Sequence, residues 1–376
     1  MHISTSFLYI FATLSLTMAI PGKSNVYHLV DSAESEWTWI ARLSDRYKFN
    51  AEAQKVLHNR LVMNYMRPIP KAPKIITEEE PISVLLWDTE GLEKVAGDTE
   101  LASQCSVPCR VTTDRSESGK AHMILAVGDE VPDVFAILQP FQQKALFVLE
   151  PDLSLPNAEK RVDPFHMLVS YSRHSDIRVD YSRSLSIPSG LPVFAQKTKK
   201  ALAAAFISNC DNNGDARYRL DYLRELSVHM DIDSYGACLH TPGLPTDVNF
   251  KEIASQYHYV LVLENTVLDD YVTDKFYEAL STDAIPVYLG APNIAEFLPD
   301  RQSNHIVIEA RNFPDPTGLA THLKELALDE KAYMEYFEWR SVGHDPSFSK
   351  QNDFEATGKN SFVCRMCEHY NLRVEK

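Results

Sequence analysis

The sequence lacks several features that mark common classes of protein. No G-x-G-x-x-G run opens a helix, so a nicotinamide-dependent dehydrogenase is poorly supported. Basic residues are outnumbered, with 37 Lys and Arg against 52 Asp and Glu and a net charge of -15. Nucleic acids and anionic membranes attract positive surfaces, so neither is an expected partner, although a local basic pocket for a nucleotide is compatible with this charge. The chain also contains no N-x-S/T sequon, so its own N-glycosylation is not expected.

An apolar run long enough to cross a bilayer comfortably is also missing. The most apolar one near either end, residues 7–20, is shorter than the about 20 residues that a membrane helix needs, and no Lys or Arg precedes it. Residues 1–22 therefore fit either a signal peptide or a short signal anchor, and both alternatives stay open. Residues 23–80, which include a proline-rich segment, are predicted to be a stem or linker.

The remainder of the sequence is typical of a two-domain α/β protein. Its length of 376 residues exceeds that of a usual single domain, and a hydrophobic content of 44% excludes global disorder. We predict one domain at residues 81–195, a second at residues 196–345, and a tail at residues 346–376. Apolar runs and their spacing predict strands at residues 82–87, 123–127, 134–138, 145–149, 203–208, 232–235 and 306–308, and helices at residues 217–229 and from Asp315-Pro316 to Trp339.

One unit of the second domain is predicted to carry a binding site. Tyr259–Leu263 is a continuous apolar run that fits a strand buried on both faces, and a polar loop, a helix and a strand at Ile285–Leu289 follow it. Asp269, Asp270 and Thr273 are predicted to cap the helix. Ligands of parallel sheets bind outside the carboxyl ends of the strands, which is where the polar loop lies.

Lys275, in the first turn of that helix, indicates what the ligand is. A cation at this position opposes the helix dipole unless an anion lies nearby. Lys275 and the backbone N–H groups of the helix therefore predict a cradle for a diphosphate. A solvated lysine on a surface helix is the alternative explanation.

Two long motifs carry a family resemblance. Residues 264–280 spell E-N-T-V-L-D-D-Y-V-T-D-K-F-Y-E-A-L, and residues 285–299 spell I-P-V-Y-L-G-A-P-N-I-A-E-F-L-P. Together with residues 197–241 they resemble the donor-binding region of the α1,3/α1,4-fucosyltransferases, which use GDP-fucose, and most closely the plant-type enzymes that fucosylate the N-glycan core. The resemblance implies a GT-B fold, in which two Rossmann-like domains face each other across a cleft.

The resemblance also implies which residues bind the donor. Arg219 and Lys275 would neutralise the diphosphate, and Arg217 is a close competitor of Arg219. Asp274 occupies the position where the family has a glutamate that contacts the donor sugar. The other residues of the donor-facing loop would be Glu264, Asn265, Tyr271, Val272 and Thr273.

The catalytic base is predicted in the first domain. Inverting fucosyl transfer needs a carboxylate that takes a proton from the acceptor hydroxyl. Glu150 ends an apolar run and precedes residues 170–181, which resemble the acceptor-side segment of the family. Family members have a serine after this glutamate, whereas Pro151 follows here, so Asp152 stays open as an alternative base.

The six cysteines indicate the redox compartment. Their even number and the hydrophobic N-terminus favour disulfides in a secretory lumen, while a four-cysteine zinc site or a redox C-x-x-C is the alternative. The resemblance implies that Cys105 and Cys109 bond to Cys364 and Cys367, in an order that stays open. It pairs the remaining two cysteines, Cys210 and Cys238, with each other.

The prediction for the whole protein is an inverting, GDP-fucose-dependent α1,3-fucosyltransferase that acts on GlcNAc of the N-glycan core. A Lewis-type enzyme acting on glycan antennae and an inactive glycan-binding descendant are the alternatives. The D-x-D of residues 231–233 enters a predicted strand, so no metal site is assigned and no cofactor is required, although a divalent cation could stimulate the reaction. The expected partners are a glycan or glycoprotein acceptor and, if the N-terminal segment is uncleaved, a Golgi membrane.

Overall fold

The computed structural model describes the greater part of both predicted domains. The described residues are 77, 79–87, 92, 105–127, 133–149, 165–182, 186–188, 190–210, 217–301, 303, 305–342, 348 and 361–374. The predicted N-terminal segment, nearly all of the stem, Glu150 and Asp152 lie outside them. No helix within the described ranges is both long and apolar enough to cross a membrane.

The first domain contains a six-stranded parallel sheet. Its strands are β1 (Ile82–Leu86), β2 (Cys109–Thr112), β3 (Met123–Val127), β4 (Gln143–Val148), β5 (Met167–Ser170) and β6 (Ile177–Arg178). Their spatial order is β2-β1-β3-β4-β5-β6, with parallel pairing throughout. Every residue of β1 is buried, as expected for a parallel strand with packed layers on both faces.

The second domain contains a five-stranded parallel sheet in the order β11-β10-β9-β7-β8. Its strands are β7 (Ala203–Ala205), β8 (Ile232–Ser234), β9 (Tyr259–Leu263), β10 (Ile285–Leu289) and β11 (Ile308–Glu309). The helices are α1 (Arg217–His229), α2 (Phe250–Ala254), α3 (Asp274–Leu280), α4 (Pro316–Leu326), α5 (Glu330–Glu335) and α6 (Trp339–Val342). The chain direction across this sheet reverses between β7 and β9, so the carboxyl ends of these two strands form the crevice where such sheets bind ligands.

Two sequence predictions of secondary structure are wrong. Residues 134–138 do not form a strand, because Asp133–Ala136 is a short 3-10 helix. The long helix predicted from residue 316 is divided into α4, α5 and α6. Asp315 caps α4 as expected, but Asp329 accepts a hydrogen bond from Ala332 N–H and thereby begins α5 as a new helix.

The C-terminal segment returns to the first domain as α7 (Phe362–Val374), which packs on β1, β2 and β6. Two disulfides hold it there, Cys105–Cys364 and Cys109–Cys367, and they close loops of 259 and 258 residues. The third disulfide, Cys210–Cys238, lies within the second domain. The implied pairing is therefore confirmed and its order is established, which leaves no thiol for the zinc or redox alternative.

One turn, residues 281–283 at the end of α3, bonds to two residues near the predicted domain boundaries, Lys197 and Arg340. Lys197 Nζ donates hydrogen bonds to the carbonyl oxygens of Ser255, at 3.0 Å, and Asp283. Arg340 donates to Asp283 Oδ1 at 2.9 Å and to Thr282 O at 2.5 Å. Burial lowers the pKa of Lys197 to about 8. The turn is thus bonded to Lys197 and Arg340, which lie close to the predicted domain boundaries at residues 195 and 345, and these boundaries stay predictions.

Candidate active site

Arg219 lies at the crevice between β7 and β9. It is in the first turn of α1, is only 1% exposed, and donates to Leu263 O at 3.1 Å and to Asn209 O at 3.0 Å. These carbonyls belong to the last residue of β9 and to the loop after β7. The neighbouring Tyr218 donates its hydroxyl to Glu264 O at 2.8 Å. The start of α1 therefore holds both sides of the crevice in place.

The two arginines that competed for the phosphate role have different surroundings. The side chain of Arg217 is 65% exposed and lies 3.5 Å from Asp221, so it belongs to the solvent face of α1. Arg219 is inside the crevice, with protein carbonyls as acceptors. Position favours Arg219, although its contact with a phosphate stays a prediction.

Glu264, at the end of β9, is a buried carboxyl group at the centre of the loop. Its side chain is 0% exposed and accepts hydrogen bonds from Thr273 N–H at 2.9 Å and from Thr273 Oγ1 at 2.8 Å. Burial raises the pKa of Glu264, and nearby Lys275 and the Thr273 bonds oppose that rise. A Cβ on Gly290 would lie 2.5 Å from Glu264 Cγ, so only glycine fits beside this carboxylate. Glu264 therefore supports the loop from within.

Lys275 lies next to this carboxylate and still reaches solvent. Its Nζ is 3.6 Å from Glu264 Oε2 and 3.1 Å from Thr273 Oγ1, and the side chain is 34% exposed. Glu264 is thus an acidic neighbour within the protein for this lysine, whose charge opposes the helix dipole. Lys275 is partly exposed at the carboxyl edge of the sheet, and its contact with a ligand phosphate stays a prediction.

The expected helix caps have other functions. Thr273 is the N-cap residue of α3, but its side chain makes no capping bond, because its hydroxyl donates to Glu264. Asp270 has a left-handed backbone with φ of 67°, and its carboxylate bonds to Arg173 and Asn293. Both side chains fix the loop between strand and helix, so the prediction that they cap α3 is wrong.

The remaining predicted donor residues divide into two groups. Tyr271 and Val272 are buried in the core, and the ring of Tyr271 packs edge-on against that of Tyr171 in the first domain, with centroids 5.2 Å apart. Asn265 and Asp274 are half-buried, and Asp274 Oδ1 accepts a bond from Lys275 N–H at 3.0 Å. Within the predicted donor loop, the site residues that are not fully buried are therefore Asn265, Asp274 and Lys275.

On the first domain, the described residues fix the chain next to the predicted base. Tyr181 donates its hydroxyl to Leu149 O at 2.7 Å, one residue before Glu150. Ser170 and Ser175 are bonded to each other at 2.6 Å. This end of β4 lies at the carboxyl edge of the first sheet, but the geometry of Glu150 itself is outside the described residues.

Sequence reasoning missed Arg173 and Asn293, whose side chains bond to Asp270 in the predicted donor loop. Arg173 is bonded to Asp270, from which it is separated by 97 residues, and it also contacts Glu296. Asn293 completes this cluster. No local pattern signals contacts at such a separation. The loop position of Arg173 within residues 170–181 was the available hint.

The two parallel sheets have the arrangement of a GT-B type fold. Residues 196–376 match the family model of the C-terminal part of glycosyltransferase family 10 (fucosyltransferase). A crystal structure of an α1,3-fucosyltransferase aligns with a TM-score of 0.55 and 16% identity, over 81% of this chain and 93% of that one. A structure of α1,3-fucosyltransferase with GDP-fucose aligns with a TM-score of 0.51 and 15% identity, over 85% of this chain and 97% of that one.

Named relatives point to the same family. The human GDP-fucose protein O-fucosyltransferase 3 is 34% identical over 197 residues, which cover 48% of this chain and 40% of that protein. A fucosyltransferase-like protein of Arabidopsis thaliana is 30% identical over 283 residues, which cover 75% of this chain and 51% of that protein. Residues 196–376, nearly half of the chain, therefore match the fucosyltransferase family model, and the relatives at 30–34% identity are similar to this chain over 48–75% of its length. It spans about two fifths of the length of the O-fucosyltransferase 3 relatives, such as 42% of the one from Xenopus tropicalis.

Proposed function

We propose that the protein transfers fucose from GDP-fucose to an acceptor hydroxyl. The observation that carries this proposal is Lys275, a partly exposed cation next to the buried carboxyl group of Glu264 at the carboxyl edge of the second sheet. It lies in the part of the chain that matches the fucosyltransferase family model. A lysine at this position can neutralise the charge that the departing diphosphate gains in the transition state.

In the proposed reaction, the acceptor oxygen forms a bond to the anomeric carbon of fucose while the bond from that carbon to the diphosphate oxygen breaks. The electron pair of the broken bond leaves with GDP, and Lys275 stabilises it. Glu150, our predicted base, takes the proton of the acceptor hydroxyl, and Asp152 is the alternative. No group of three or more potential metal ligands occurs among the described residues.

Two acceptor classes are candidates. The motif resemblance favours the α1,3 position of GlcNAc in the N-glycan core, which we take as the first candidate. The second is a serine or threonine hydroxyl of a protein, favoured by the name of the relatives that are 34% identical over about half of the chain. Both reactions belong to protein glycosylation, and both use the same donor site.

The test is incubation with GDP-fucose and a panel of N-glycopeptides and unglycosylated folded domains. Mass spectrometry with fragmentation locates any added deoxyhexose on GlcNAc or on a hydroxyl side chain, and parallel reactions with and without a chelator test the stimulation by divalent cations. Modification of the glycan alone supports the first acceptor, and modification of the polypeptide alone supports the second. GDP-fucose that stays intact with every acceptor would refute the proposal in favour of an inactive glycan-binding protein.

We further propose that the protein works in the lumen of the Golgi apparatus. The support is the set of three disulfides, because such bonds persist in oxidising compartments. Fractionation of cells that express the full chain, with protease protection, tests this proposal and also tests attachment through residues 7–20. Recovery of the protein from the cytosol with free thiols contradicts it.

A further inference from the structure

We propose that Arg173 of the first domain is a positioning residue for the donor loop of the second domain. Arg173, Asp270 and Asn293 form a connection that we call the interdomain latch. The inference rests on the proposed function only in identifying residues 264–275 as the donor loop. The latch itself is a set of contacts that can be tested without any reaction.

Arg173 donates two hydrogen bonds to the carboxylate of Asp270. Its backbone N–H donates to Asp270 Oδ2 at 2.8 Å, and its Nε donates to Oδ1 at 2.7 Å. Ser172 Oγ lies 3.5 Å from the same Oδ2. The loop between β5 and β6 therefore contacts one carboxylate of the other domain, and both oxygens of that carboxylate accept hydrogen bonds from it.

Asn293 holds Asp270 from within the second domain. Its Nδ2 donates to Asp270 Oδ1 at 2.9 Å, while its Oδ1 accepts the Asp270 backbone N–H at 3.0 Å. Burial alone would raise the pKa of Asp270, but the bonds from Arg173 and Asn293 outweigh it, and the pKa is lowered. Asp270 is thus a stable anion whose side chain and backbone are both fixed.

The backbone conformation of Asp270 explains why this anchoring matters. Its φ of 67° lies in the left-handed region, which non-glycine residues adopt at a cost unless their surroundings enforce it. Asp270 is four residues before Asp274 and five before Lys275. The latch holds one end of this short stretch, and the bonds of Thr273 to Glu264 hold the other. The Nζ of Lys275 is therefore placed by contacts that include the first domain.

An ordinary surface ion pair would not have this effect. Arg110 and Glu117 form such a pair in the first domain, with side chains 44% and 30% exposed, and water can replace either partner. The Asp270 side chain is only 2% exposed. Loss of the Arg173 side chain would leave a buried carboxylate with one charged donor fewer, which loosens the residue that determines the course of the loop.

The experiment compares Arg173→Ala, Arg173→Lys and Asp270→Asn with wild type, and uses Arg110→Ala as the matched control. Amide hydrogen exchange of residues 265–275 is measured without ligand, and GDP affinity is measured by calorimetry. A far-ultraviolet circular dichroism spectrum that matches the wild-type spectrum confirms that each variant folds. Asparagine tolerates a left-handed backbone, so Asp270→Asn removes the charge and keeps the conformation accessible.

We expect Arg173→Ala to speed exchange of this segment about tenfold and to weaken GDP binding, with kcat/KM for GDP-fucose reduced by up to about 10²-fold, the effect of misplacing a catalytic group by about 1 Å. Asp270→Asn should act in the same direction, Arg173→Lys should recover part of the effect, and Arg110→Ala should match wild type. If hydrogen exchange and GDP affinity are unchanged in Arg173→Ala, the proposal that Arg173 positions the donor loop is refuted. A wild-type protein that leaves GDP-fucose intact refutes the proposed function instead, because the exchange result does not depend on turnover.

Discussion

Replacement of Arg219 tests how the crevice is built. Arg219→Ala removes the donors that bond Leu263 O, at the end of β9, and Asn209 O, after β7. Arg219 is 1% exposed, so water has little access to replace these bonds. The two sides of the crevice would lose the side chain that connects them, and both the folded state and the donor site should suffer.

The size of the effect follows from the number and type of these bonds. A hydrogen bond to a charged group contributes about 1.5–3 kcal/mol, so two of them amount to about 3–6 kcal/mol. Loss of the buried aliphatic part of the side chain adds to this. The Arg217–Asp221 pair is an exposed helical pair with an N–O distance of 3.5 Å. Such pairs contribute about 0.3–0.5 kcal/mol, so Arg217→Ala should be nearly neutral.

The assay is urea unfolding of wild type, Arg219→Ala and Arg217→Ala, followed by fluorescence and circular dichroism under identical redox conditions. Arg219→Ala should lower the midpoint without changing the slope, since the extent of surface exposed on unfolding is the same. If Arg219→Ala unfolds within about 1 kcal/mol of wild type, below the cost expected for even one charged bond, the supporting role of Arg219 is refuted. If Arg217→Ala is instead the damaging change, the register of α1 around the crevice is wrong by two residues.

Four further predictions concern single groups. Lys275→Ala should lower kcat/KM for GDP-fucose by about 10²–10³, because it removes a charge stabiliser, and should also lower the thermal unfolding temperature, because it leaves the buried Glu264 without its cationic neighbour. Glu264→Gln should flatten the pH dependence of stability: burial raises the Glu264 pKa above its ordinary 4.5, so the folded state holds the proton more tightly and wild type loses stability as pH rises above that value. Replacing Cys210 and Cys238 by serine opens a disulfide that spans 28 residues and should cost about 3–4 kcal/mol in denaturant unfolding; a cost below about 1 kcal/mol would refute chain entropy as its main contribution. Glu150→Gln should reduce the rate of fucose transfer by about 10²–10⁴-fold while GDP affinity stays near that of wild type. Wild-type activity in this variant would refute Glu150 as the base.

Continuous apolar runs made the central strands predictable from sequence. The bounds predicted for β3, β9 and β10 agree with the structure, as does the helix α1. In a parallel sheet with both faces covered, a central strand must be apolar at every position, and this gives an unmistakable local pattern. Edge strands lack it. The four residues of β2, C-R-V-T, include only one buried residue, Cys109, so no apolar run predicts this strand.

The disulfide framework was predictable for a different reason. Six cysteines in a family pattern are independent of local folding propensity, and the pairing of the middle two follows from that pattern. The order of the outer pairs depends on how α7 lies across β2, which is a matter of tertiary packing. Only the structure could decide it.

The donor loop shows where sequence reasoning reaches its limit. The resemblance identified Glu264, Thr273 and Lys275 as members of one site, and the structure brings them together. Their separate roles depend on burial. A carboxylate that is 0% exposed can only support its neighbours, whereas a lysine that is 34% exposed can meet a ligand. Helical spacing and charge do not distinguish these cases, because burial of a charge is tolerated only when tertiary partners such as the Thr273 hydroxyl are placed to receive it. The motif therefore predicts which residues form the site, while the fold determines which of them are buried supports and which are exposed to a ligand.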